Sequence, residues 1–177
     1  MAIQPGAHKF GPDNATLRVK TGRSGAAAKA GHDLVIEVTS WEATLDVGDS
    51  PSIELSADPT SLKVVEGKGG MQALDDDGKA DILKSIDKDV LKKKAIAFRS
   101  TSVEQGDGGL AVKGDLELVG KTAPVEFDLT VGDDGALSGS AKVTQSNWGM
   151  KPYSALFGAL KVNDEVEVVL DGKVPTA

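Results

Sequence analysis

The chain contains no cysteine, which removes a disulfide framework, thiolate metal ligation and thiol nucleophiles, while leaving the redox compartment open. Histidine is nearly as scarce, with only His8 and His32 present, so no metal centre is expected. Excess positive charge is missing too. The formal net charge is −7 and the isoelectric point about 4.8, whereas nucleic acid and anionic membranes attract basic surfaces. Nucleic-acid binding is therefore not expected. No apolar run is long enough to cross a bilayer, so stable membrane insertion is not expected either. The N-terminus, MAIQPGAHKFGPDNA, lacks a positive region followed by an apolar core. That makes the cytoplasm the default location; a periplasmic or exported protein would need a signal already trimmed away. Catalytic fingerprints of the GxSxG, HExxH, P-loop and dinucleotide types are absent, and GKGGM at 67–71 has neither the spacing nor the preceding strand. Asn14-Ala15-Thr16 fits a glycosylation acceptor, which has no meaning without export. No catalytic residue and no cofactor are assigned, and the chain is not expected to be an enzyme.

What is present is alternation. Residues 112–129, VKGDLELVGKTAPVEFDL, hold two runs of alternating apolar and charged residues about a VGKT break. Period-two alternation gives each strand one oily and one wet face, so a hairpin is expected here. Val112, Leu116, Leu118, Val125, Phe127 and Leu129 would lie on the oily side. The position of Pro124 predicts a four-residue loop at 119–122, setting Leu116 against Val125, Gly114 against Phe127 and Lys113 against Asp128. A three-residue loop at Gly132–Asp134 would follow, leaving Phe127 over Gly114 and Gly139. Similar texture recurs through 16–20, 34–47, 53–57, 61–65, 95–103, 136–144 and 166–174. The phase slips by one residue between Val38 and Trp41, which predicts a bulge or bend near Thr39-Ser40. About eight to ten strands at hairpin spacing predict an antiparallel sandwich or barrel.

One stretch differs. Residues 75–94, DDDGKADILKSIDKDVLKKK, place Ile82, Leu83, Ile86, Val90 and Leu91 at helical spacing, with aspartates in front and lysines behind, as a helix dipole favours. The lysines are read as a solvated helix end rather than a phosphate site. At 177 residues the chain suits one domain with a sizeable core, and no Pro- or Ser-rich linker divides it. The first ten residues are expected to be loosely held. Inward rows of Leu, Val, Ile and Ala, with small residues such as Ala28, Gly114, Gly139 and Ala141 among them, leave two fillings open. Either the walls collapse onto one another or they enclose one small guest.

The segments AGHDLVIEVTSWEATLDV, LKSIDKDVLKKKAIAFRS, VKGDLELVGKTAPVEFDL and NWGMKPYSALFGALKVNDEVEVVLD, in this order, resemble the YceI-like family of polyisoprenoid-binding proteins. The third carries the most specific pattern: Val112, Gly114, Leu116, Leu118, Gly120, Thr122, Pro124 and Val125. Gly31-His32 matches the family's strand-opening histidine, and Trp148-Gly149-Met150 its aromatic-Gly-Ile. The resemblance implies a single lipocalin-like antiparallel barrel of about eight strands over 1–177, with one helical segment near 75–94. It further implies an apolar tunnel for an isoprenoid or other long apolar lipid.

On that reading Leu34, Ile36, Phe98, Leu116, Leu118, Val125, Phe127 and Leu129 are expected to line the tunnel. Trp41 and Trp148, amphipathic rings able to turn an N–H to water, are expected at its mouth, and His32 there as a headgroup contact. Anchoring of the Gly31–Asp33 turn is an equally good role for His32. Arg99 and Lys113 fall on the outward rows. The function expected is non-enzymatic binding, transport or storage of a polyprenyl lipid. A stress or protein-interaction module with a self-filled barrel is one alternative, and a lipid-modifying enzyme using His32 another. A homodimer is compatible with all three.

Overall fold

The structure, a computed structural model, describes residues 3–174. Fourteen strands and one main helix follow in chain order: β1 (Gly6–Phe10), β2 (Ala15–Lys20), β3 (Arg23–Ser24), β4 (Asp33–Val38), β5 (Trp41–Val47), β6 (Ser52–Ala57), β7 (Leu62–Lys68), α1 (Asp76–Ser85), β8 (Ile96–Gly106), β9 (Gly109–Leu118), β10 (Lys121–Val131), β11 (Ala136–Thr144), β12 (Ser154–Ala155), β13 (Leu160–Val162) and β14 (Glu165–Lys173). Eleven of them form one sheet in the order β1-β5-β6-β8-β9-β10-β11-β14-β2-β4-β7, and every pairing in it is antiparallel. The class is therefore mainly β with one helical segment, as the alternation implies, although the count exceeds eight to ten. The surplus lies in pieces too short to show a period. β12, β13 and β3 make a separate three-stranded sheet, and β1 pairs with β5 through Gly6–Phe10. That pairing corrects the expectation of a loose N-terminus, apart from residues 1 and 2, which lie outside the described residues. In β1 only Phe10 is buried, so it carries no oily row to read.

Connectivity makes the sheet curl. β4 lies next to one edge of the strand order and β5 next to the other, yet only Thr39 and Ser40 join them. Two residues reach about 7–10 Å at most, so the two sides of the sheet must meet there. The β6–β7 connection turns the same corner alongside. Thr39 N–H donates to the Ser61 carbonyl at 2.9 Å, and Asp58 N–H to the Ser40 carbonyl at 3.0 Å. This corner is the bend that the phase slip between Val38 and Trp41 predicts, with both residues buried. Closure stops short of a hydrogen-bonded barrel, since β1 and β7 remain as edges.

The hairpin registers differ from expectation. Leu118 pairs with Lys121, leaving a two-residue turn in which Val119 and Gly120 both have positive φ, 52° and 75°. That is the type I′ turn whose twist matches the strands. Pro124 then faces Asp115, by alternation a pair without ladder bonds. β10 pairs with β11 only from Asp128 onward, so the missing N–H costs nothing on that side either. The shift by two residues replaces the expected Lys113–Asp128 pair with Lys113–Glu126, whose ions lie 3.6 Å apart. In the next hairpin Val131 pairs with Leu137 and Gly132 N–H donates to the Ala136 carbonyl, placing the loop at residues 133–135. Gly114 therefore faces Val125, and Gly139 faces Leu129. Phe127 covers neither. A Cβ on Gly114 would lie 2.5 Å from the Phe98 ring, so Phe98 is the aromatic that fills this gap.

The registers also give the molecule two unlike ends. β2, β9 and β11 finish, and β4, β8, β10 and β14 begin, at one of them. Here the helix runs between β7 and β8, and the three-stranded sheet joins β2 to β14. At the other end Ile3, Phe10, Ala15, Val47, Val103, Leu110, Val131 and Val174 close the interior as part of a packed cluster. Asp75 caps α1 by accepting from Gly78 N–H at 2.8 Å, the short polar cap favoured at a helix start. Beyond Ser85 the chain widens into one π turn, Ile86–Val90, with Leu91 N–H bonded to the Ile86 carbonyl at 2.8 Å. The helix ends there rather than at 94, because Lys92 and Lys93 have positive φ. Those lysines are exposed.

Candidate functional site: an apolar cavity under the helix

Between the packed end and the helix the walls part around a cavity of ≈ 340 Å³. An engineered cavity of about 150 Å³ with Leu, Ile and Phe walls stays dry and binds benzene, so the space here suits a larger apolar guest. Strands from both sides of the sheet contribute. Leu17, Val19, Leu34 and Ile36 face it from β2 and β4, Leu45, Ile53 and Leu55 from β5 and β6, and Val166, Val168 and Leu170 from β14. The helix supplies Ile82, Ser85 and Ile86, followed by Val90 and Leu91. Among the described residues, no carboxylate, ammonium, guanidinium or imidazole lines it. Alternation is the reason: each strand sends its charges outward, where Arg99 meets Glu54 at 3.3 Å and Arg18 meets Glu37 at 3.6 Å.

Of the polar lining, Thr44 and Ser140 lie along the strand walls and the larger groups stand at the helix end. Thr21, Gln145 and Tyr153 all line the cavity, and backbone bonds bring them together. Asn163 N–H donates to the Gly22 carbonyl, Val162 N–H to the Tyr153 carbonyl, and the Gln145 side chain to the Asn163 carbonyl at 3.1 Å. Tyr153 is also 44% exposed, so the lining reaches the surface at this residue. An uncharged guest with one polar end fits that gradient.

The YceI-like domain family matches the sequence over residues 13–174, nearly the whole chain. The chain belongs to the YceI-like family. Its fold is similar to that of Burkholderia cenocepacia BcnA in the crystal, with a TM-score of 0.64 at 16% identity, covering 89% of this chain and 94% of that one. A mutant CJ YCEI protein with a monobromobimane guest gives a TM-score of 0.58 at 11% identity over 80% and 84% of the two chains. The Campylobacter jejuni YCEI protein gives 0.50 at 13% identity over 78% and 84%. No match was found among the curated proteins. At such identities the likeness speaks for the fold alone.

Within this YceI-like chain the eight residues selected from alternation — Leu34, Ile36, Phe98, Leu116, Leu118, Val125, Phe127 and Leu129 — all lie on the cavity wall. Phe98 and Phe127 meet there as a tilted pair with centroids 5.5 Å apart. Of the small inward residues, Gly139 and Ala141 line the space. Gly114 lies beneath Phe98, and Ala28 falls in a short 3₁₀ turn instead of a strand.

The three residues expected at the mouth behave differently. Trp148 is only 4% exposed and its indole N–H donates to the Leu116 carbonyl at 2.7 Å. It does not line the cavity and cannot turn to solvent. Trp41, 6% exposed, packs in the closed-end cluster, with an indole nitrogen that has no partner. Trp41 turned inward because it opens the inward row of β5 that continues through Ala43, Leu45 and Val47, whereas Trp148 lies in a 3₁₀ turn beyond β11 and is held inward by its bond to Leu116 and by the cluster around it. His32 shares the helix end but is not a lining residue. Its Nε2 lies 2.8 Å from the Gln72 carbonyl, and a Cβ on Gly70 would meet the ring at 2.4 Å. His32 thus pins the loop before the helix, and a catalytic role inside the cavity has no geometry to support it.

Ile82, Ile86, Val90, Met150 and Tyr153 also line the site, as do strand residues such as Leu17, Leu45 and Val168, and none of them is among the eight. For the helix residues a signal existed. An apolar stripe on the one helix of a β protein must cover something apolar. Tyr153 sits in an irregular segment with no period to follow.

Proposed function

We propose that this protein binds an isoprenoid or comparable long apolar lipid in the cavity, without catalysing its conversion, as a carrier or store. One observation carries the reading: a cavity walled by both sides of the sheet and the helix, with no Asp, Glu, Lys, Arg or His among the described residues of its lining. Methyl and methylene groups gain about 0.8 kcal/mol per buried CH₂ on leaving water, and such walls offer nothing else. A charged head would be costly inside, so the tail lies under Ile82 and Ile86 and the head remains near Thr21, Gln145 and Tyr153. Membership of the YceI-like family supports the same class of guest. Among the described residues no helix is long and apolar enough to cross a membrane.

Native mass spectrometry of the gently purified protein, followed by organic extraction and lipid analysis, tests the reading. The expected result is a mass excess that leaves with the solvent and consists of a long-chain lipid with an isoprenoid repeat. A protein that carries no lipid and takes up no added polyprenyl alcohol would instead be a module whose cavity serves no guest.

A further inference from the structure

The surface at the helix end has two properties found together nowhere else among the described residues. The large hydrophobic side chains left exposed there are Met71, Tyr153, Leu156 and Phe157. All four belong to this end. Tyr153, Leu156 and Phe157 lie in and beside the three-stranded sheet, whose β3 supplies Arg23. Met71 lies on the loop whose Gly69 and Gly70 press against Arg23 and His32. Leu156 and Phe157 have positive φ, 53° and 56°, a conformation that costs non-glycine residues energy and is retained where surroundings impose it. The backbone is held there by Ala159 N–H bonding the Leu156 carbonyl and by Ala27 N–H bonding the Ala159 carbonyl. The consequence is a fully exposed phenyl ring beside the point where the cavity lining reaches the surface.

Charge is segregated on one part of this end, the three-stranded sheet and its flanks, whereas along residues 75–94 six aspartates balance six lysines. Residues 22–32 and 144–162, which meet through the β3–β13 pairing, contain Arg23, Lys29, Lys151 and Lys161 and no acidic residue, although the chain has 27 of them. Asp33 stands at the border, 3.5 Å from Arg23, and Asp164 is held by Ser146. Lys29, Lys151 and Lys161 are exposed. The overall charge of −7 disfavours anionic surfaces in general. A local basic rim around an exposed aliphatic and aromatic tip reverses that preference at one site. Such a combination is complementary to an anionic bilayer, with cations at the headgroups and apolar side chains among the upper acyl carbons.

We propose that Leu156 and Phe157 form a docking tip that seats the cavity mouth on an anionic lipid bilayer, from which the guest is exchanged. The purpose rests on the lipid-holding reading of the cavity, but the docking is measured separately. Flotation with vesicles of phosphatidylcholine containing one-third phosphatidylglycerol is expected to recover the protein, at least tenfold less with phosphatidylcholine alone, and progressively less with rising salt. L156S/F157S, which alters exposed residues only, is expected to lose at least tenfold of the bound fraction while keeping the wild-type circular dichroism and the wild-type content of co-purified lipid. The charge variant Lys151→Glu/Lys161→Glu should lose binding to the same vesicles. Equal recovery on both vesicle types, no recovery on either, or a wild-type dimer that L156S/F157S dissolves would overturn the proposal, the last by assigning the tip to a second copy. Vesicle binding by a protein that carries no lipid would leave the tip standing and remove the carrier reading.

Discussion

Trp148 and Leu116, 32 residues apart in the chain, are joined by the indole N–H and a strand carbonyl at 2.7 Å. Leu116 points its side chain into the cavity while its backbone holds the ring that closes the neighbouring cluster of Leu91, Leu118, Val125 and Val143. Trp148→Phe removes the hydrogen bond and keeps most of the bulk, so a loss of about 0.5–1.5 kcal/mol is expected. Trp148→Ala also opens a void and should cost about 3–5 kcal/mol. Urea unfolding of the two variants distinguishes them. A Trp148→Phe protein as stable as wild type would mean that the bond contributes nothing, and equal losses in the two variants that the void does not.

Ala141 is the wall position where added volume separates stability from binding. It lines the cavity and pairs with Val168 on β14. Ala141→Phe is expected to fill space, leave the melting temperature within a few degrees of wild type and reduce the co-purified lipid severalfold. Organic extraction of equal amounts of both proteins provides the comparison. Unchanged lipid content would place the guest elsewhere.

Gly114 permits Phe98 to lie close over β9. A Cβ there would meet the Phe98 ring and the Arg99 carbonyl oxygen, each at 2.5 Å. The ring can swing into the cavity, but the carbonyl belongs to a paired strand. Gly114→Ala is therefore expected to destabilise by about 1–3 kcal/mol, with m-value unchanged in a denaturant titration. Phe98→Leu in the same background should recover part of the loss, because it relieves one of the two contacts.

Asp75 secures the start of the helix that roofs the cavity. Asp75→Ala is expected to cost about 0.5–2 kcal/mol locally, read as faster amide exchange in 76–85 while β9 and β10 keep their protection. Release of bound lipid should quicken in parallel if the helix is the part that opens.

Asp58 stands at the corner between β6 and β7 and accepts from the Thr60 hydroxyl at 2.6 Å and the Thr60 N–H at 2.8 Å. The hydroxyl first and then the amide hold its carboxyl below the usual aspartate range. A carboxylate depressed in the folded state stabilises above the unfolded value, and the contribution is lost as pH falls through the folded one. NMR titration should show Asp58 protonating below ordinary aspartates, and Thr60→Ala should move it upward. An unshifted Asp58 in the Thr60→Ala protein would mean that these bonds do not set it.

Pattern in the chain was enough for the antiparallel class, the helix over most of 76–90 and the residues of the oily face, because a period of two or 3.6 records which side of an element leaves water. It extended to the eight wall positions for the same reason. Family likeness added the ordered motifs but not the registers. Those depended on the turn at Val119-Gly120, where a β-branched residue adopts positive φ only because the surrounding strands and the Leu91–Trp148 cluster hold it.

Tertiary packing alone decided which tryptophans are buried, how far apart the walls stand and where the lining meets the surface. An inward row in a collapsed sandwich and an inward row around a hollow have the same alternation. What separates them is the distance between strands remote in sequence, imposed here by the two-residue corner at Thr39-Ser40 and by the helix laid across one end. Neither constraint is local, and local order is all that a periodic pattern can register.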